Sequence, residues 1–146
     1  MKNCFCLILL LFFGLSTKAQ IINFPDANFK YKLMQSGPSE AIAQDIDYNF
    51  VKIDTNDDNE IDVAEASVIY FLEVNVGNIN SLSGIENFIN LRGLECYGNN
   101  LTTLSPISSL SQLSWLSCSD NQITSLAAIE NLTGITDLGI TSNPNR

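Results

Sequence analysis

The chain has 146 residues, 45% of them apolar, with seven basic and sixteen acidic side chains and a net charge of −9 at pH 7. Such a surface repels phosphate backbones and anionic headgroups, which argues against nucleic acid as a partner. Histidine is absent, which removes the commonest general base and transition-metal ligand, so composition also argues against an enzyme.

Lys2 precedes an apolar or small run from Cys4 to Leu15, and Thr17-Lys18-Ala19 places small residues at minus three and minus one. This pattern predicts a secretory signal peptide over residues 1–19, cleaved before Gln20. The run of twelve residues is too short to span a bilayer core of roughly 30 Å. No later segment is apolar enough for membrane insertion, so the expected localisation is secreted or cell surface. Five basic residues then remain against sixteen acidic ones.

Residues 20–67 read as a helical cap. Asp26, after Pro25, suits the N-cap of a helix that includes Lys30 to Gln35, because its carboxylate can accept from orphan amides of the first turn. Half of the acidic residues follow between Asp45 and Glu65. Within them, Asp54 to Glu65 matches the twelve-residue calcium loop of an EF-hand, with hard oxygen ligands at places 1, 3, 5, 7, 9 and 12. Asp54, Asn56 and Asp58 supply side-chain oxygens, Glu60 a carbonyl, Asp62 a water-mediated contact and Glu65 both carboxylate oxygens. The implied cofactor is Ca²⁺. Asn59 stands where the pattern wants glycine, at a place that needs positive φ, which asparagine tolerates better than other side chains. Ile46, Phe50 and Ile53 have the spacing of a short entering helix, and Val63 to Ser67 can begin an exiting one. Asp45 to Asn49 resembles the start of a second such loop, but its twelfth place is Asn56.

Residues 68–146 read as repeats: a half repeat built on Ile69, Leu72 and Val74, then three 22-residue blocks at Ser81–Thr102, Thr103–Thr124 and Ser125–Arg146. Apolar residues recur at seven fixed places, from Leu82, Ile85, Phe88, Leu91, Leu94, Cys96 and Leu101 in the first block; only Asn145 breaks the pattern. Each block contains L-x-L/C/I-x-x-N, ending at Asn99, Asn121 or Asn143. This is the signature of a leucine-rich-repeat solenoid with a parallel sheet on its concave side. Because strand side chains alternate, Leu94 and Cys96 face the core while the residues between them face solvent. The asparagines close the turns and stack as a ladder. Cys96 and Cys118 occupy equivalent core places, where stacked side chains seldom reach disulfide geometry; Ile140 fills the third such place, so buried thiols are expected.

The alternation assigns Phe71, Glu73 and Asn75, then Gly93, Glu95 and Tyr97, then Trp115, Ser117 and Ser119, then Asp137, Gly139 and Thr141 to the concave face. Phe71, Tyr97 and Trp115 with Glu73, Glu95 and Asp137 are the candidate ligand-binding residues, since exposed aromatics are enriched at binding hot spots. The alternative is that the aromatics only cover strand edges and the cap.

The segment Asn23-Phe24-Pro25-Asp26-Ala27-Asn28-Phe29, the helix after it and the 22-residue repeats together resemble the cap and repeats of internalin-type bacterial surface proteins over residues 22–146. The likeness is closest to secreted forms whose cap carries a calcium-loop sequence. The resemblance implies an α/β repeat solenoid that binds protein or glycan through its concave sheet, without catalysis. The competing expectation is a structural spacer or N-terminal fragment of a larger cell-surface protein. Leu138 and Ile140 end the stack without a following cap, which leaves an edge for possible association.

Overall fold

A 22-residue unit cannot bury its own apolar face, so each block becomes one rung and is stabilised by the rungs beside it. In the computed structural model, residues 19–144 are described; the expected signal peptide, apart from Ala19, and Asn145 lie outside them. Strands β2 (Phe71–Glu73), β3 (Gly93–Glu95), β4 (Trp115–Ser117) and β5 (Asp137–Gly139) pair in parallel. Their register is one repeat: Phe71 opposes Gly93, Gly93 opposes Trp115, and Trp115 opposes Asp137. The chain returns along the convex side through short 3₁₀ helices at Ile85–Asn87, Ser105–Ile107 and Ala127–Ile129. The inward places from Leu82 to Cys118 are 0–1% exposed, as the repeat pattern requires. Cys96 and Cys118 are both buried thiols.

The turns after the strands have no neighbouring strand to satisfy their backbone, and a buried side-chain amide does so instead. Asn121 Oδ1 accepts from Leu101 N at 2.9 Å, while its Nδ2 donates to the carbonyls of Cys96 at 2.9 Å and Cys118 at 3.1 Å. Asn99 and Asn143 repeat the arrangement, accepting from Ile79 N at 3.0 Å and Ile123 N at 2.9 Å. The expected asparagine ladder is therefore present. The same turns hold Val76, Gly98, Asp120 and Ser142, at equivalent places, at φ of 51°, 66°, 52° and 55°, and the first turn adds Asn78 at 53°. Val76 is the poor fit, since a β-branched side chain is strained there.

The cap begins with helix α1 (Ala27–Met34). Asp26 is its N-cap, accepting from Asn28 N at 2.9 Å and Phe29 N at 3.1 Å. Its second oxygen accepts from Asn80 N at 2.7 Å and Ser81 N at 3.1 Å, which ties the helix to the first repeat. Burial pushes the Asp26 carboxyl up, but these backbone donors outweigh it and hold the group below its ordinary value. Phe24 packs edge-on against Phe29, with ring centres 5.6 Å apart. Gly84, at φ 105°, leaves room for Phe24, whose ring would stand 2.5 Å from any Cβ there. This contact seats the cap on the stack.

One expectation fails between residues 45 and 53. No helix enters the acidic loop; instead β1 (Ala43–Gln44) pairs antiparallel with β2, opposing Leu72 and Phe71. Gln44 also bridges to Phe50 across a tight turn at Asp45–Asn49, whose amides Asp45 Oδ1 accepts at Asp47 (2.9 Å) and Asn49 (3.0 Å). The physical reason is the edge of β2, whose unpaired backbone is better met by a strand than by a helix. The exit helix forms as expected, as α2 (Val63–Ser67). The sheet order is thus β1-β2-β3-β4-β5.

Replacing Asn121 with alanine should orphan buried backbone groups at Leu101, Cys96 and Cys118, costing at least about 2 kcal/mol. Asn100→Ala, one place from the Asn99 amide, should cost under about 0.5 kcal/mol. Urea unfolding of both variants checks this; equal losses would deny the ladder its structural role.

Candidate functional site

The concave sheet displays three rows of outward side chains across the rungs. The first row is Phe71, Gly93, Trp115 and Asp137; the second is Glu73, Glu95, Ser117 and Gly139. A third, just past the strands, is Asn75, Tyr97, Ser119 and Thr141. Gly93 decides how the first row packs. A Cβ on it would meet Phe71 Cδ1 at 2.5 Å and Trp115 Cε3 at 3.3 Å, so both rings lean over the glycine and roof it. Trp115 nevertheless stays 42% exposed. On the far side of Phe71 the cap contributes Tyr48, whose ring stacks on it with centres 4.8 Å apart and planes 25° apart. Tyr48 is 66% exposed and sits at φ 64°, an unfavourable conformation for a bulky residue.

The three rings of Tyr48, Phe71 and Trp115 therefore make a floor along the first row. Tyr97, 40% exposed, does not join it, because it lies in the third row where its amide donates to Asn75 Oδ1 at 3.1 Å. Sequence reasoning missed Tyr48. Its only signal was the Asp45–Asn49 cluster of turn-forming residues around an aromatic.

Glu73 and Glu95 stand directly opposite one another in adjacent parallel strands. Asn75 Nδ2 donates to Glu95 Oε2 at 2.9 Å. The ion pairs among the described residues are Lys30–Glu60, Lys52–Asp54 and Lys52–Asp57, so none of the concave carboxylates is paired. Burial and the charge of Glu95 push the Glu73 carboxyl above its ordinary value, although Lys32 acts in the opposite sense.

The acidic loop is knit by its own hydrogen bonds. Asp54 is 3% exposed, and its carboxylate accepts from Asp58 N at 3.2 Å and Asn59 N at 3.3 Å. Asn59 adopts φ 65°, the left-handed conformation its place requires. Asn56 Oδ1 accepts from Asp58 N at 2.9 Å, and Asp58 Oδ1 from Glu60 N at 2.9 Å. Glu65, 7% exposed, accepts from Thr55 N at 2.7 Å through Oε1 and from Asp62 N at 3.0 Å through Oε2. Asp62 returns the bond from Glu65 N at 2.9 Å, completing a capping box at the start of α2. Glu65 thereby pins the entrance of the loop to its exit helix. The Glu60 side chain reaches outward, where its Oε2 accepts from Lys30 Nζ at 2.6 Å. Among the described residues, no three His, Cys, Asp or Glu side chains stand close enough to form a ready-made metal cluster.

With four parallel rungs, the asparagine ladder and the seated cap in view, solved structures supply the comparison. An internalin, InlF from Listeria monocytogenes, is 27% identical with a TM-score of 0.69, covering 88% of this chain and 34% of its own. The functional domain of InlJ from the same species, which includes a cysteine ladder, is 26% identical with a TM-score of 0.64, covering 86% of this chain and 24% of its own. The fold is internalin-like. A third internalin, InlC2, shows the same fold at 24% identity and a TM-score of 0.65. No family model and no curated protein matches the sequence. The chain spans about a third of InlF and a quarter of InlJ. In this chain Cys96 and Cys118 occupy equivalent places one repeat apart, and both are buried.

Because its folded-state value is raised, ionised Glu73 weakens the fold, and stability is regained as pH falls and Glu73 takes up a proton. Glu73→Gln should therefore stabilise the chain at pH 7 by about 0.2–1 kcal/mol, the scale of one like-charge cross-strand pair. The gain should shrink as pH falls through the raised Glu73 value to the ordinary 4.5. Denaturant unfolding at pH 7 and pH 3.5 measures it; a gain that grows toward low pH would contradict the assignment.

Proposed function

We propose that this chain is an exported, non-enzymatic recognition or adhesion module that binds a protein or glycan on its concave sheet and uses calcium to stabilise its cap. The observation that carries the reading is Trp115, a large aromatic left 42% exposed on a face where the sheet needs no side chain for its core. Aromatics of this kind, presented on rigid strands, supply contact area at low entropic cost, which is what a binding surface needs. The internalin-like neighbours support a protein-binding module. No helix of the described residues is long and apolar enough to cross a membrane, which agrees with an exported chain.

The cap loop fits calcium by its donor chemistry. Asp54, Asn56, Asp58, the Glu60 carbonyl, Asp62 and Glu65 are hard oxygen donors, spaced as a twelve-residue calcium loop spaces them. The left-handed Asn59 and the buried Asp54 carboxylate give the loop its turn, and among the described residues Lys52 and Lys30 alone form ion pairs with it. A bound divalent cation would supply the remaining compensation and lock the loop that precedes β2. An affinity of roughly 10⁻⁴ to 10⁻³ M suits an extracellular module.

Calcium at ten times its dissociation constant should stabilise the chain by about 1.4 kcal/mol, raising Tm by roughly 4–7 °C. Asp58→Asn keeps an acceptor for Glu60 N but removes a ligand charge, and should abolish the shift. Asp57→Asn, at a place outside the ligand set and tolerant of positive φ, should retain it. Thermal melts in calcium and in chelator decide this, and a wild-type Tm indifferent to both would remove calcium from the account.

For the concave face, a Tyr97→Ala/Trp115→Ala double variant should stay folded and lose binding to proteins or glycans of the chain's environment. Gln112→Ala, on an exposed residue away from the sheet, should bind like the wild type. Immobilised chain and surface plasmon resonance provide the comparison. Equal binding by both variants would leave the solenoid as a spacer.

A further inference from the structure

The concave face pairs two features that a single ligand group can satisfy together. The ring floor of Tyr48, Phe71 and Trp115 runs beside the carboxylate pair of Glu73 and Glu95, two residues further along the strands and about 7 Å away at normal strand rise. The carboxylates are neighbours at the inter-strand spacing of about 4.8 Å, close enough for one planar donor group to bridge them. They share no ion pair within the described residues, and Asp137 adds a third charge at the end of the floor.

We infer that the first and second rows form a docking site for an arginine-bearing segment of a partner protein, the arginine stem lying on the rings and its guanidinium bridging Glu73 and Glu95. This rests on the concave face being the binding surface, and it names the partner's chemistry. Charge complementarity selects the occupant, because Glu73, Glu95 and Asp137 form no ion pair among the described residues of a chain of net charge −9, and Lys32, the cation that acts on Glu73, does not pair with it. Arginine is favoured over lysine because its fixed fork of donors matches two carboxylates and its flat cation stacks on aromatic faces. The chain already makes that second contact internally, one row outside the site, where the Arg92 guanidinium lies 5.2 Å from the centre of the Tyr70 ring. The raised value of Glu73 agrees with a site whose charge awaits a cation. Two local features serve this surface. Tyr48 holds a strained, left-handed φ of 64° that extends the floor, and Gly93 has no side chain where Phe71 and Trp115 converge.

Trp115 is the only tryptophan in the sequence, so its fluorescence reports this site alone. The full chain is titrated with the peptides (Arg-Gly)3, (Lys-Gly)3 and (Glu-Gly)3. The arginine peptide should change the Trp115 emission saturably, with the lysine peptide at least tenfold weaker and the glutamate peptide inert. Glu73→Gln/Glu95→Gln should weaken the arginine peptide at least tenfold while folding no less stably, since like-charge repulsion is relieved. Gly93→Ala should do the same by displacing the Phe71 ring, and Gln112→Ala should change nothing. Equal affinity for lysine and arginine, or arginine binding that survives both concave variants, would overturn the inference. A concave face that binds a neutral protein or a glycan through Tyr97 and Trp115 but ignores all three peptides would overturn the arginine site and leave the recognition module standing.

Discussion

A parallel stack of three-residue strands has one recurrent difficulty, which is that the chain must leave each strand and turn without a neighbouring strand to meet its amides. One buried primary amide per rung resolves it. Asn99, Asn121 and Asn143 are 6%, 5% and 7% exposed, and each both accepts from a backbone N–H and donates to carbonyls on its own rung and the one before. A hydroxyl has too few donors for this task, and a carboxylate has none. The register of the sheet follows, because an amide that binds two rungs at once fixes their offset. So does the place of every outward side chain on the concave face.

The cap solves the complementary problem at the start of the stack. Ala43–Gln44 covers the backbone edge of β2, while Asp26 joins the cap helix to the loop before the first 3₁₀ helix. Phe29 and Leu33 extend the apolar core into the cap without a break. The acidic loop lies between these anchors, with Glu65 bonded both to its entrance and to the amide before α2. Through α2 the loop runs directly into the strand on which Phe71 and Glu73 stand. This links the cap's proposed ion to the proposed binding face through two short covalent connections.

Much of this architecture was legible in the letters, because a repeat exposes its own register: seven apolar places and one asparagine recurring every 22 residues leave little freedom for the strands and the core. The loop after Ile53 was legible for a similar reason, since ligand-like oxygens at fixed places also shape the turn, and Asn59 takes the expected positive φ of 65°. What escaped was decided between elements. The spacing of Ile46, Phe50 and Ile53 mimics a helix, yet only Ile53 is fully buried, with Ile46 and Phe50 left 49% and 37% exposed, and the open edge of β2 claims the segment as a hairpin. Tyr48 reaches the concave face only because that hairpin forms. Val76 at φ 51° could not be foreseen, because its left-handed place is marked by Gly98 in the next rung but by no residue preference of its own.

The central claim is that the buried asparagines join the rungs into one cooperative stack that holds the concave face rigid. Native-state hydrogen exchange on the amides of Ile79, Leu101 and Ile123 tests it most directly, because each donates to an asparagine side chain and to no strand. If the claim holds, these three amides open only with global unfolding, at one common free energy that matches denaturant unfolding. Exchange at the rates of exposed turn amides, or a separate low opening energy for each rung, would contradict it.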